Sequence, residues 1–355
     1  MSAGGGSRRV IVVGAGVTGL LTAVACARGG HRVTLLDRGP IPNPGSSSAD
    51  QHRVVRTLSP DDADATGRMV AAHRRWLDLE ALLGTGLYRR VGVVTAWPRD
   101  RIAAVTAAGS AAGVSTRAVE PRELPHVRFP AGSAGVLEAD AGVLLADRVL
   151  RAAARWLSGH PAVDLRPYRT VTRVDTDSAQ VLSADGEKLG ADLVLVAAGP
   201  WTRDLLEHPV VLHRQTMVYL RPPQDVARWW EAAPAVGGIG TDGRSWVMPP
   251  GSGALLKISS DAVAREVSST ADRGDEDQAP WVARLARAAP LRELGRYTVA
   301  AVRACHYATA TGTGGAVLAR VGPAVWSRAA CGGSGFSQAP LVAERIVDVL
   351  TKGAA

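Results

Sequence analysis

Hydrophobic and polar positions near the N-terminus follow the order strand, helix, strand. Arg9–Val13 is a short β-branched apolar run, which predicts a buried parallel strand. Val17–Arg28 is predicted to be a helix, and the two glycines after it are predicted to end that helix. Arg32–Leu36 predicts a second strand, which ends at Asp37. Together these segments predict a βαβ unit.

The rest of the chain alternates between helical and extended patterns. Further helices are predicted over Asp61–Leu83, Asp100–Ala112, Asp147–Leu157 and Leu341–Leu350. Further strands are predicted over Tyr88–Ala96, Val171–Asp175, Ala179–Leu182, Leu193–Ala197, Val210–Leu220, Ser245–Ile258 and Val325–Ala330. Loops are predicted at Gly39–Ser48 and at the glycine-rich segment Cys331–Phe336, and a polar, acidic linker at Ser269–Gln278. The segments Val210–Leu220 and Ser245–Ile258 predict a second, mainly antiparallel domain.

Composition narrows the class of protein. The 355 residues are 46% hydrophobic and 21% charged, which is typical of a globular protein and long enough for two domains. The net charge of +8 comes from scattered arginines rather than a basic run, which argues against nucleic-acid binding. No stretch reaches the ~18 apolar residues of a membrane span. The three cysteines favour a reducing compartment, taken here as the cytoplasm.

A dinucleotide-binding motif, GAGVTG, lies between the first predicted strand and helix. Its first glycine permits a tight turn, its second lets a pyrophosphate approach the backbone, and its third lets the helix pack on the strand. The helix directs its N-terminal N–H groups at the phosphates, and the acid that ends the second strand suits a ribose hydroxyl. The predicted cofactor contacts are Gly14, Gly16, Val17, Thr18, Gly19 and Asp37.

Six segments between about Arg9 and Leu350 carry a family resemblance. They are the glycine motif with Asp37 and Arg38, Ser46–Arg56 (SSSADQHRVVR), Ala191–Trp201 (ADLVLVAAGPW), Leu255–Ile258 (LLKI), Arg303–Tyr307 (RACHY) and Gly332–Phe336 (GGSGF). On these motifs the chain resembles the sarcosine oxidase and glycine oxidase branch of the D-amino-acid oxidase superfamily. The glycine motif GAGVTG alone does not show whether the cofactor is FAD or NAD, but this resemblance favours FAD.

The resemblance implies an α/β fold in which a Rossmann-like FAD-binding domain is interleaved with a substrate domain on a mixed, mainly antiparallel sheet. Residues 1–84, 142–204 and 305–355 would form the FAD domain, and residues 85–141 and 205–304 the substrate domain. The implied FAD contacts beyond the glycine motif are Arg38, Ser46, Ser47, Ser48, Arg53, Val171, Ala198, Gly199, Trp201, Cys305, Gly332, Gly333, Ser334, Gly335, Phe336 and Ser337. Related enzymes bond flavin covalently at the place of Cys305; a small buried thiol is the alternative.

The implied activity is an FAD-dependent oxidase of a primary or secondary amino acid. Hydride would pass to flavin N5, leaving an imine, and O2 would be reduced to H2O2. Arg56 offers a bidentate fork to a substrate carboxylate, and the alternative is an ordinary surface arginine. Lys257 would hold a water near flavin N5, unless its side chain extends to the surface. Tyr307 and Arg244 are further candidates for substrate contacts, and core packing is the alternative for Tyr307.

Two departures from the family pattern bear on the substrate. Ser337 stands where sarcosine oxidases carry a carboxylate-binding lysine, and Asp261 where they carry a histidine. Both predict a bulkier substrate, such as an N-substituted glycine or a cyclic imino acid in a biosynthetic pathway. The alternative enzyme is a dehydrogenase that uses another electron acceptor, and the alternative class is a flavin-binding protein with a structural or tRNA-modifying role. We expect a monomer or small homo-oligomer without nucleic-acid or membrane partners.

Overall fold

The computed structural model describes residues 6–271 and 279–352, so most of the predicted linker Ser269–Gln278 lies outside the described residues. Strands and helices are numbered along the chain. The first large sheet contains β1 (Arg9–Val13), β2 (Arg32–Leu36), β9 (Val163–Arg166), β13 (Leu193–Val196), β20 (Ala316–Gly322) and β21 (Val325–Cys331). Its order is β20-β21-β13-β1-β2-β9, and every neighbouring pair is parallel except β20 with β21.

Both faces of this six-stranded sheet are buried, which explains why β1 is apolar along its length. On one face, Val10 and Val12 join a core with α1 (Val17–Arg28), α2 (Ala63–Leu83), α4 (Ala146–Ser158) and α7 (Gly335–Lys352). On the other face, Ile11 and Val13 pack against the small antiparallel sheet of β10 (Val171–Asp175), β11 (Gln180–Ser183) and β12 (Lys188–Gly190).

The second large sheet has nine strands. They are β5 (Val93–Pro98), β6 (Thr116–Val119), β7 (Ser133–Glu138), β14 (Val210–Arg221), β15 (Ala235–Ile239), β16 (Ser245–Met248), β17 (Leu256–Ser260), β18 (Ala264–Val267) and β19 (Thr298–Ala310). The order is β18-β14-β17-β16-β15-β5-β7-β6, with β19 also paired to β14; only β5 and β15 are parallel. The other α-helices among the described residues are α3 (Ile102–Ala111), α5 (Gln224–Ala232) and α6 (Ala279–Ala288).

A three-stranded antiparallel sheet links the two large ones. It consists of β3 (Arg53–Val55), β8 (Gly142–Leu144) and β4 (Tyr88–Arg89), in that order. The architecture is therefore the predicted mixed α/β fold with a parallel sheet and a mainly antiparallel sheet. The domain boundaries stay predictions. None of the helices in the described part of the chain combines the length and apolarity that crossing a bilayer requires.

The N-terminal βαβ prediction is confirmed residue for residue in β1, α1 and β2. Two of the predicted strands are wrong, because each predicted segment forms two separate strands in the structure. Tyr88–Ala96 divides into β4 and β5 at Gly92, whose φ is +77°, and Ser245–Ile258 divides into the hairpin β16–β17. The hairpin turn contains Pro249, which lacks an N–H, and Gly251 with φ +130°; neither suits a continuous strand.

The C-terminal helix α7 is longer than the predicted helix Leu341–Leu350. It begins at Gly335 rather than Leu341, so the predicted turn Cys331–Phe336 gives its last two residues to α7. Pro340 lies inside this helix. The apolar pattern predicts a start after that proline, but Pro340 lies in the second turn, where it removes the one hydrogen bond that its N–H would make to the carbonyl of Phe336 and does not end the helix. The longer α7 brings its N-terminus to the carboxyl edge of β21.

Candidate active site and cofactor cavity

A cavity of about 1180 Å³ is lined by residues of both large sheets. The four catalytic candidates line it, and so does every cofactor candidate except Gly19. A Cβ at Gly19 would lie 1.9 Å from the carbonyl oxygen of Gly14, so this glycine permits close packing of helix α1 instead. The fold thus brings together, around one cavity, segments that are more than 300 residues apart in the sequence.

The edge of the cavity predicted to bind phosphate is built from backbone. Gly14 has φ +101°, and a Cβ there would lie 2.6 Å from the carbonyl oxygen of Ala197. Ser48 Oγ accepts a hydrogen bond from the N–H of Val17 at 3.0 Å. A Cβ at Gly16 would lie 3.2 Å from that same Oγ. Only glycine leaves this edge open, and helix α1 directs its positive end toward it.

Asp37 fixes the loop above the glycine motif. Its Oδ2 accepts a hydrogen bond from the N–H of Ala15 at 2.8 Å, and its Oδ1 accepts from Gly39 N–H at 2.8 Å and Asn43 Nδ2 at 2.7 Å. Each carboxylate oxygen has two acceptor positions, so Oδ2 retains one for a ligand hydroxyl. Asp37 is buried, and it therefore shapes the site as well as facing it.

The next part of the cavity carries an arginine stacked on an indole. The guanidinium carbon of Arg38 lies 4.0 Å from the ring centre of Trp201, which belongs to the turn Gly199–Asp204 after β13. Ala198, Gly199 and Val171 line the same cavity. These residues follow the carboxyl ends of β2 and β13, where ligands of open α/β sheets bind.

The serine-rich loop ties the two sheets together. Ser47 Oγ donates to the carbonyl oxygen of His306 at 2.5 Å, and Arg53 Nη2 donates to the carbonyl oxygen of Ser47 at 2.9 Å. Arg53 also forms an ion pair with Asp50. These bonds hold Arg53 at the cavity wall, and its contact with the cofactor stays a prediction.

Lys257 lies at the centre of a buried polar cluster. Its Nζ donates to Asp50 Oδ2 at 2.9 Å and to the carbonyl oxygen of His52 at 2.6 Å, while Tyr219 Oη donates to Asp50 Oδ1 at 2.6 Å. Lys257 is 0% exposed, so a side chain that extends to the surface is excluded. Burial lowers the pKa of Lys257, and the nearby Arg53 lowers it further. The third N–H of the ammonium remains available to the cavity.

The end of the cavity predicted to hold the substrate carries arginines that form no ion pair among the described residues. Arg56 and Arg244 are exposed and line the cavity, and neither pairs with a carboxylate among the described residues. The Tyr307 ring stacks on His213 with centres 4.9 Å apart. Burial, with Asp261 nearby, raises the pKa of Tyr307 to about 12. Its phenol therefore stays protonated near neutral pH and can donate a hydrogen bond.

The cysteines differ in their access to the cavity. Cys305 and Cys331 are free, half-buried thiols that line it. Cys26 is fully buried on α1, and burial raises the pKa of its thiol to about 12. A low thiolate population makes a cysteine unreactive, so Cys26 serves packing.

The glycine-rich turn before α7 closes the remaining side. Gly332 and Gly333 have φ +57° and +76°, and Ser334 Oγ donates to the carbonyl oxygen of Cys331 at 2.9 Å. Gly332 to Ser337 all line the cavity. The N-terminus of α7 therefore lies at the same cavity as the N-terminus of α1.

Comparison with known proteins identifies the family. Residues 9–349 match the family described as FAD dependent oxidoreductase. The chain belongs to this family. Its members are flavoproteins, so FAD is the cofactor of this chain, and the cavity is the place where we expect it to bind.

The chain is also similar to curated oxidases over part of its length. It is 30% identical to mouse peroxisomal sarcosine oxidase and 31% identical to the human enzyme, each over 176 residues. These alignments cover 46% of this chain and 45% of each relative, so they span less than half of either protein.

Solved structures share the fold over nearly the whole chain. Fructosyl amine:oxygen oxidoreductase (Amadoriase I) from Aspergillus fumigatus has a TM-score of 0.77 at 19% identity, covering 98% of this chain and 87% of its own. NikD, an unusual amino acid oxidase essential for nikkomycin biosynthesis, has a TM-score of 0.79 at 19% identity, covering 98% and 95%. At these identities the likeness shows the fold alone.

The cavity fits FAD chemically. Several lining residues have a buried side-chain N or O atom with no hydrogen-bond partner among the described residues, and Ser46 Oγ, Ser245 Oγ and Arg328 Nε are among these atoms. Buried polar groups usually have partners, so these atoms indicate a polar ligand in the cavity. The open glycine edge at α1 and the turn at α7 provide backbone N–H groups for the same ligand.

Sequence reasoning missed three residues of this family member's site. Asp50 accepts a hydrogen bond from Lys257. The sequence indicates it only as an acidic residue within the serine-rich segment Ser46–Arg56. The ring centre of Trp246 lies 5.7 Å from Lys257 Nζ, and its only signal in the sequence is that it lies two residues after the candidate Arg244. Arg328 gave no signal, because an arginine in a strand is not distinguishable by pattern from the many surface arginines of this chain.

Proposed function

We propose that this family member is an oxidase of a primary or secondary amino acid that uses O2 as electron acceptor. One observation carries the proposal. A single cavity joins a glycine-lined dinucleotide edge, a fully buried lysine, and two exposed arginines without carboxylate partners among the described residues. The first element suits FAD, the second suits oxygen chemistry, and the third suits a substrate carboxylate.

The substrate end supports an amino acid with a sizeable substituent. Arg56 would bind the carboxylate in a bidentate fork, with Arg244 as a second contact. Tyr307 would donate a hydrogen bond to the substrate. Ser337 and Asp261 also line the cavity. Because Ser337 is small and neutral and Asp261 is anionic, they favour an N-substituted glycine with a polar substituent over glycine or sarcosine.

The chain's own residues act on charge and position. When bound, FAD would supply the redox chemistry: a hydride equivalent would leave the carbon of the C–N bond and a proton would leave its nitrogen, giving an imine, and the two electrons and two protons would reduce O2 to hydrogen peroxide. Lys257 is held by Asp50 and the His52 carbonyl at the cavity wall, and the Asp50 carboxylate favours its charged form against the effect of burial, so it would present a positive charge in a fixed position. A preorganised charge of this kind stabilises negative charge that develops on oxygen.

The test is an oxygen-consumption and peroxide assay with glycine, sarcosine, D-amino acids and longer N-alkylglycines. We expect peroxide and oxygen uptake in equal amounts, with the highest kcat/KM for an N-substituted glycine. No peroxide from any of these amines would remove the proposal. Reduction of the flavin by an amine without air, followed by reoxidation by a dye but not by air, would establish the dehydrogenase instead.

Covalent attachment at Cys305 is a separate proposal. Its support is a free, half-buried thiol on the cavity wall in strand β19. Acid precipitation should leave the yellow colour in the pellet of the wild type and in the supernatant of Cys305→Ser. A yellow supernatant from the wild type would contradict it. The cytoplasmic location, the biosynthetic role and the small oligomer stay predictions.

A further inference from the structure

Arg328 is a buried cation without an ion pair. It is 7% exposed, on strand β21, and lines the cofactor cavity. Its Nη2 donates to Gln338 Oε1 at 3.1 Å, but its Nε is buried without a hydrogen-bond partner among the described residues. No described carboxylate forms an ion pair with it. Because a guanidinium keeps its proton when buried, this charge is uncompensated within the described chain.

Strand register places Arg328 at the cofactor edge of the cavity. Ser327 pairs with Val196, and Val196 pairs with Val13 across three parallel strands. Arg328 follows Ser327 as Gly14 follows Val13, so both residues lie at the carboxyl edge of the same sheet. That edge carries the dinucleotide motif. The substrate-side arginines come from other elements.

The N-terminus of α7 adds positive potential at the same place. Gln338, the partner of Arg328, lies in the first turn of this 18-residue helix. No acidic residue occurs in that first turn, nor in the first turn of α1. Two helix N-termini and a buried arginine therefore converge on one cavity, without an acid in either first turn to offset them.

We propose that Arg328 binds an anionic part of FAD, either its diphosphate or the pyrimidine edge that carries negative charge in the reduced flavin. An uncompensated buried guanidinium is costly unless a ligand supplies its counter-charge. FAD carries that counter-charge, and the register places Arg328 beside the FAD motif. This inference rests on the FAD cofactor and is independent of the proposed amine substrate.

The test compares Arg328→Met and Arg328→Lys with Arg320→Met. Arg320 is the matched control, because it is an exposed arginine on the neighbouring strand β20 and lies outside the cavity lining. We expect Arg328→Met to purify with less than about half of the wild-type flavin per protein, because a buried charge interaction is lost. Arg328→Lys should recover flavin content, and Arg320→Met should match the wild type.

Sulfite titration of the flavin-loaded fraction identifies the anion. Sulfite adds to flavin N5, and positive charge near the pyrimidine stabilises the adduct. A sulfite dissociation constant raised about tenfold or more in Arg328→Met assigns the arginine to the pyrimidine. Reduced flavin content with the sulfite constant changed less than about twofold assigns it to the diphosphate.

Wild-type flavin content together with a wild-type sulfite constant in Arg328→Met would overturn the inference, whatever happens to substrate affinity. Should Arg328→Met not fold, Arg328→Gln replaces it, because a glutamine side chain can still hydrogen-bond Gln338. The melting temperature separates cofactor binding from a structural role. Removing a structural arginine lowers it in flavin-free protein, whereas removing an uncompensated buried charge does not. Neither flavin content nor sulfite binding requires a turnover substrate, so a failed amine assay leaves this test intact.

Discussion

The six-stranded sheet and the nine-stranded sheet line the same cavity with different groups. The six-stranded sheet contributes glycines, backbone N–H groups and helix N-termini, as at Gly14 and Gly16. The nine-stranded sheet contributes side chains such as Lys257, which bonds to Asp50, 207 residues earlier in the chain. We name these the cofactor wall and the substrate wall after their proposed roles. At its glycines the cofactor wall depends on the absence of side-chain atoms, whereas the substrate wall depends on charges held by distant partners. Each wall should fail in its own way.

The largest expected effect is on the cofactor wall, from Gly19→Ala. The added Cβ would lie 1.9 Å from the backbone oxygen of Gly14 and 3.2 Å from a methyl carbon of Val12. Helix α1 must then move away from β1, and its N-terminus leaves the phosphate edge. We expect the protein to purify without FAD, measured as the absorbance at the flavin band relative to protein.

Gly67→Ala is the matched control. Gly67 also lies in a helix, α2, but nothing lies within 4 Å of an added Cβ. Alanine is about 1 kcal/mol more favourable than glycine in a helix, so this variant should keep its flavin and unfold at a slightly higher urea concentration. Equal flavin content in the Gly19 and Gly67 variants would show that the cofactor wall tolerates side-chain atoms.

On the substrate wall, Lys257→Met should separate oxygen chemistry from cofactor binding. Methionine has similar length and no charge, and Asp50 keeps Arg53 and Tyr219 as partners. We expect reoxidation of the reduced flavin by air to slow by about 10²- to 10³-fold, as when a preorganised electrostatic contact is removed. Flavin content should stay at the wild-type level. Stopped-flow mixing of reduced protein with O2 measures the rate.

Lys188→Met is the control for lost positive charge, because Lys188 is exposed on β12. Its reoxidation rate should equal that of the wild type. If Lys257→Met reoxidises at the wild-type rate, the buried ammonium has no part in the oxygen step. If Lys257→Met instead loses flavin, Lys257 contributes to cofactor binding, and the two walls do not act independently.

Asp50→Asn should destabilise the substrate wall directly. The change leaves Lys257 buried without its counter-charge, and breaking a buried pair by removing one partner costs about 3–5 kcal/mol. Urea unfolding measures the loss. The double variant Asp50→Asn with Lys257→Met should be more stable than Asp50→Asn alone, because it removes the uncompensated charge. A double variant less stable than both single variants would contradict the pairing.

The same contrast explains what could be predicted from sequence. The glycine motif and its flanking elements are local, because chain sterics and apolar periodicity fix them within about 30 residues. The cluster around Lys257 needs Asp50, His52 and Tyr219, which only tertiary structure brings together. The pattern alone also misplaced the hairpin after Met248 and the start of α7 at Gly335, because glycine and proline act there through backbone geometry rather than hydropathy.

The smallest effect concerns His52, beside Lys257 in the substrate wall. Its Nε2 lies 3.2 Å from the carbonyl oxygen of Pro249, and its Nδ1 is buried without a partner among the described residues. Burial, with the nearby Lys257 charge, lowers the pKa of His52 well below its ordinary value. Nε2 therefore carries the proton of a neutral ring and donates to Pro249, which explains why this residue adds no second cation beside Lys257.

The pH dependence follows from that lowered pKa. Below the ordinary value of about 6.5, the unfolded chain binds a proton at His52 that the folded chain does not, so stability falls as pH decreases. The slope from one such group is at most about 1.4 kcal/mol per pH unit. His52→Gln, whose amide can still donate to Pro249, should lose less stability between pH 7 and pH 5 than the wild type in urea unfolding. An unchanged difference between these two pH values would mean that His52 is protonated in the folded protein, and the substrate wall would then tolerate adjacent buried cations.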